Sequence, residues 1–242
     1  MNVKVSNKVS KSVKSTIIKI TAKKLSEKLL KQKEAGYSLT ELTLIVLVVG
    51  ILAAIATPGW LAFTNNYRLR TSTDRIYQAM FTARRNAMRD KTAWQASFQE
   101  TTNIFGQPVI RYALHKPAIA PKDLPTSSWK YLEPGIEIDD NGTNDKGNYE
   151  TTLRIVKPDT NTVTKNKTDP IYRALFNYKG CPVYNPTNQC TQTSLQAKGR
   201  IAIKHQNQDK PKRCVIISTL LGAMRTGQDH EKAEKSTGKY CY

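Results

Sequence analysis

EAGYSLTELTLIVLVVGILAAIATP, residues 34–58, holds an apolar run that opens at Tyr37 and contains one charge, Glu41, near its start. Tyr37 to Pro58 is 22 residues, about 33 Å as α-helix and close to one hydrocarbon thickness. A carboxylate at such depth costs roughly a few kcal/mol, so it normally has a partner. No Lys or Arg lies between Glu41 and Arg68, so its own helix supplies none. The partner expected for Glu41 is therefore another chain or a newly made N-terminus.

The flank before this run is basic. Residues 1–36 hold ten lysines against Glu27 and Glu34, within a chain of 242 residues that carries 38 basic and 19 acidic side chains. No aromatic residue interrupts the lysines, and the segment reads as a leader with no core to bury. Positive charge before an apolar span favours retention of that flank in the cytoplasm. Everything after the span is then expected on the far side of the membrane. Cys181, Cys190, Cys214 and Cys241 all lie beyond the span, and an even count in an exported domain points to two disulfides. Three pairings exist. The expected one is Cys181–Cys190, closing a short loop around Pro182 and Pro186, with Cys214–Cys241 tying the C-terminus to a strand. A zinc site is not expected, because there is no CxxC and His115, His205 and His230 are scattered.

Beyond Pro58 the pattern stays helical. Leu69, Ser72, Ile76, Met80, Ala83 and Ala87 recur at three- and four-residue steps and define one small and apolar face. Arg68, Arg75, Arg85 and Arg89 fall on another, solvated face. Pro58 removes one backbone hydrogen bond and is expected to kink the helix without ending it. One helix from about 39 to about 90 follows. From Thr92 the pattern changes to short β segments: Ala93–Phe98, Val109–His115, Leu153–Lys157, Ile171–Tyr178, Arg200–Lys204 and Arg213–Ser218. Polar and Pro/Gly-rich joints separate them, including Lys116–Pro125 and Asp139–Asn148. The second half of the first joint, and Pro158–Asp169, read as mobile. The fold class expected is α+β: a long N-terminal helix, transmembrane in its first half, then an antiparallel β-rich head. The divisions are a leader over 1–36, a transmembrane and assembly helix over 37–64, and an exported head over 65–242.

GYSLTELTLIVLVVGILAAIATP resembles the N-terminal signature of type IV prepilins and type II secretion pseudopilins. The resemblance implies cutting by a prepilin peptidase after Gly36 and N-methylation of Tyr37. It also implies that Glu41 neutralises the N-terminal amine of a neighbouring subunit during assembly, with Pro58 closing the span. Tyr37 departs from the family's usual Phe, and the leader is long. A narrower resemblance, to the GspH/FimT group of minor pilins and pseudopilins, rests on AMFTARRNAMRDKTAWQASF, LFNYKG, KGRIAI and KRCVIISTLLGAMRTG. It implies two antiparallel sheets on one long helix. Two other readings of the span are an ordinary signal anchor and a signal peptide cut after Ala54-Ile55-Ala56. A 36-residue basic region and a charge inside the run count against the second.

No catalytic constellation, cofactor motif or Gly-rich phosphate loop stands out, and a non-enzymatic building block is expected. Its partners would be the prepilin peptidase and methyltransferase, other pilins, and the inner membrane before assembly. It would lie N-in and C-out in that membrane, then in a periplasmic or cell-surface fibre. Three functions compete: a minor pilin serving motility, adhesion or DNA uptake; a type II secretion pseudopilin; and an anchored binding protein that never polymerises. Residues 198–242 hold ten basic and four acidic residues, a concentration suited to a phosphate backbone. FimT-like minor pilins are implicated in DNA binding through a C-terminal Gly-Arg-x-Arg. Gly222-Ala223-Met224-Arg225 keeps the glycine and the second arginine and has alanine at the first. DNA contact without sequence preference would fall to Arg225, with Arg200, Lys212 and Arg213; the plainer reading is a solvated basic surface.

Overall fold

The computed structural model describes residues 37–140, 149–192 and 198–242. The expected leader 1–36, with Gly36, and most of the 139–148 joint lie outside the described residues. Among them, helix α1 runs Leu39–Asp90, ending where the periodicity ends. Compact units divide at Thr57/Pro58. Backbone helix continues through Pro58, whose missing N–H leaves one carbonyl undonated; one residue earlier, the Thr57 hydroxyl donates to Ala53 O at 2.6 Å.

In the unit 58–242, the helix buries the face read from its spacing. Leu69, Ser72, Ile76, Met80, Ala83 and Ala87 are all buried. Arg75, Arg85 and Arg89 are exposed, and Arg75 pairs with Glu133 at 3.0 Å. Ten strands follow. In chain order they are β1 Trp94–Thr102, β2 Pro108–His115, β3 Lys130–Tyr131, β4 Ile136–Ile138 and β5 Arg154–Val156. After them come β6 Val163–Thr164, β7 Ile171–Phe176, β8 Arg200–His205, β9 Gln208–Ile217 and β10 Met224–Gln228. All pairings are antiparallel, in a sheet β3-β2-β1-β7-β5-β6 and a second sheet β10-β9-β8-β4. Alternation puts Phe98, Phe176, Ile203 and Ile217 on inner faces, where they join Met80 and Ala83 of the helix in one core.

The structure departs from the sequence reading where strands are short or polar. β3, β4, β6 and β10 have no run long enough, or apolar enough, to show a period of two. β9 begins at Gln208 and not at Arg213, because its first half is a polar stretch containing Pro211. The Ile171–Tyr178 segment stops at Phe176. There Asn177 Oδ1 accepts the N–H groups of Lys179 and Cys181 and turns the chain. The two stretches read as mobile hold one another: Lys122 N donates to Pro158 O at 3.1 Å, and Lys122 pairs with Asp159 at 2.9 Å. Pro158–Asp169 also contains β6, in register with β5.

Both disulfides form in the expected pairing. Cys181–Cys190 has a Cα–Cα distance of 5.5 Å and Cys214–Cys241 one of 6.1 Å. The second joins the outer face of β9 to the C-terminal tail, where Asp229 bridges Cys241 and Tyr242 stacks on His230 at 3.8 Å between ring centroids.

Candidate functional site

The segment from Tyr37 to Thr57 is exposed throughout, and its window long and apolar enough to cross a membrane has no buried share. Leu42, Leu44, Leu47, Ile51 and Ile55 are each more than half exposed. A contiguous apolar surface of this kind marks a face that meets a membrane or another protein surface. At its start, Ser38 Oγ accepts the Glu41 N–H at 3.2 Å. Ser38 is thus the N-cap of α1 and Glu41 its third residue, the Ser-x-x-Glu spacing of a capping box. That spacing was readable in the sequence and is a second, local reason for a glutamate here. A negative charge in the first turn also meets the positive end of the helix dipole. The cap satisfies a backbone donor and leaves the carboxylate charge unmatched, since no ion pair reaches Glu41 among the described residues.

The basic tail is not one surface patch. Arg225, Ile216 and Arg200 stand in register across β10, β9 and β8, so both arginines lie on one sheet face. Arg200, expected at the surface, is buried. Its guanidinium donates to Cys241 O and lies 4.0 Å from Glu150 Oε2, itself buried. Burial pulls the Arg200 pKa down, and Glu150 opposes the shift. Lys212 meets Asp139 at 2.7 Å in a mostly buried pair. Arg213 shares the strand parity of Val215 and Ile217 and therefore faces the other side of the sheet. Among the four, Arg225 alone is exposed. The tail's charge balance overstated its free charge because Asp139 and Glu150, distant in sequence, fold against it.

A cavity of about 280 Å³ lies beside Arg225, lined also by Lys198, Arg200, Glu234 and Lys239. Burial, with the nearby Arg200 charge, pushes the Lys239 ammonium down to about 8; it donates to Tyr149 O.

Gly222, the other retained residue of the C-terminal motif, has a backbone role. It adopts φ +79°, and a Cβ there would fall 2.3 Å from Gly180 O. Arg84 on α1 ties the same crossing, donating to Gly180 O at 3.0 Å and to Leu221 O at 3.1 Å. Gly222→Ala is expected to destabilise the head by about 2 kcal/mol, from a left-handed backbone and a clash with main chain. Ala223→Arg, at an exposed position, is expected to leave stability unchanged. Urea unfolding midpoints of the two variants check this; equal midpoints would remove the structural reason for Gly222.

No family model, curated protein or solved structure matches the chain.

Proposed function

We propose that the chain is a structural minor subunit of a type IV pilus, cut after Gly36 and assembled through the helix that begins at Leu39. The observation that carries this reading is an exposed, membrane-length apolar helical segment whose one charge, Glu41, meets no ion-pair partner among the described residues. Lipid covers such a face before assembly, and like helices cover it afterwards. Glu41 then sets the register, because a displaced neighbour leaves a carboxylate unpaired in apolar surroundings. The β-rich head, clipped by two disulfides, suits the far side of the membrane.

Gly36→Val is the direct test. The span is unchanged, so insertion should be normal while the leader is retained and fibres lack the subunit. Immunoblots of membranes and sheared fibres read both. A Gly36→Val chain that is shortened and assembled like wild type would overturn the proposal. In a deletion strain, loss of piliation or transformation supports the pilus role, whereas loss of protein secretion alone moves the chain to the pseudopilins.

A further inference from the structure

On the outer face of the larger sheet, opposite the helix, polar side chains are buried. Gln95, Ser97, His115, Asn161 and Arg173 are each less than a tenth exposed. Gln95 and Asn161 exchange two amide hydrogen bonds at 3.1 and 3.0 Å. His115 Nε2 lies 3.0 Å from Gln95 and 2.9 Å from Ser97. Burial holds the His115 pKa below its ordinary value, so near neutrality the imidazole carries no charge. Every member of this network except Arg173 is then neutral.

Arg173 is only 5% exposed. Its guanidinium donates to Asn161 O at 3.0 Å and to Tyr184 O at 2.8 Å. Both acceptors are carbonyls, and among the described residues no carboxylate pairs with it. A buried charge normally meets an opposite one, because carbonyl dipoles alone do not cancel it. A second guanidinium stands directly opposite in the register, on Arg154 of β5, over the Tyr184 ring at 5.5 Å. Burial lowers the Arg173 pKa to about 10, which still leaves it charged at neutral pH.

Arg173 also lines a cavity of about 360 Å³ whose walls include Thr160, Thr162, Tyr184, Asn185 and Pro186. That volume fits a small ligand. The Cys181–Cys190 disulfide clips the loop that carries Tyr184, Asn185 and Pro186. The opposite wall is fixed by Asn161 Nδ2, which donates to Pro117 O at 2.8 Å. The chemistry inside is one fork-shaped cation, two hydroxyls and an exposed amide, with an aromatic ring and a proline for the apolar part.

We propose that this cavity is a binding site for a sugar acid, with the carboxylate on Arg173, ring hydroxyls on Thr160, Thr162 and Asn185, and the pyranose face against Tyr184 and Pro186. The inference is independent of the assembly reading. The sugar acid is either a free monosaccharide or a residue of an acidic polysaccharide.

The test uses the full chain in an uncharged polyoxyethylene detergent, titrated calorimetrically with galacturonate, trigalacturonate, galactose and acetate. Galacturonate or trigalacturonate should bind at least tenfold more tightly than galactose or acetate. Equal affinity for the two acids indicates a free sugar as the natural source, and preference for the trimer indicates a polysaccharide. Arg173→Met should abolish binding. Arg173→Lys, which keeps the buried charge, should fold and still lose about tenfold in affinity, and Thr162→Val should lose a few-fold with the fold intact by circular dichroism. Absence of binding by both acids, equal binding of galactose or acetate, or undiminished affinity in folded Arg173→Lys and Thr162→Val would overturn the proposal.

Discussion

Glu41→Val is expected to insert into the membrane as well as the native chain and to disappear from fibres. Removing the charge makes the span more apolar, so the anchor is not weakened. On the proposed assembly role, a neighbouring subunit's buried amine would lose its partner, a defect of roughly 3 kcal/mol, or on the order of a hundredfold in incorporation. Because Ser38 caps the Glu41 N–H, the cap and the charge need separating. Glu41→Gln keeps a side chain suited to the capping position and removes the charge; it should fail like Glu41→Val. Ser38→Ala keeps the charge and removes a cap worth about 1 kcal/mol; it should assemble with a modest loss. Quantitative blots of sheared fibres against membranes read all three. Normal assembly of Glu41→Gln with failure of Ser38→Ala would make the glutamate a capping residue only.

The second large effect concerns the C-terminal tail. Replacing Cys214 and Cys241 together with alanine should lower the stability of the head by about 3 kcal/mol, since this bridge spans 27 residues and restrains the unfolded chain. It also holds Cys241 O over Arg200 and the Tyr240 N–H on Glu150 at 2.9 Å. Loss of the bridge should therefore expose a buried ion pair, with faster amide exchange in the tail. The Cys181–Cys190 pair spans 9 residues, and its removal should cost less. Urea unfolding of the two double variants gives the order, and an unchanged midpoint for the longer bridge would contradict it.

The fold was most legible where a period could be read. The face from Leu69 to Ala87 repeats often enough to mark its own burial, and the helix ends with it. β2, a mostly apolar run bounded by Pro108 and His115, matches the segment read from the sequence to within one residue. β3 and β6, at two residues each, are made by pairing with neighbours and leave no local trace. The polar outer face of the larger sheet was also illegible. Gln95, Ser97 and Arg173 occupy strand positions that normally face water, and they are buried because the loops near Pro117, Asn161 and Tyr184 fold over them. In the tail, counting charges found the basic residues but not the acids that meet them. Arg200 and Lys212 pair with groups 50 and 73 residues earlier in sequence, a relation only tertiary structure creates. Gly222 belongs to both sources: the motif drew attention to it, and the Gly180 carbonyl explains it.

The central claim is that the chain works as a processed subunit whose N-terminus lies at the mouth of the apolar helix. Intact mass and N-terminal fragmentation of the protein recovered from sheared fibres or membranes test it most directly. A mature chain that begins at a singly methylated Tyr37 and carries two disulfides is the result expected. A chain beginning at Thr57, or one that keeps residues 1–36 in the assembled fibre, would contradict it.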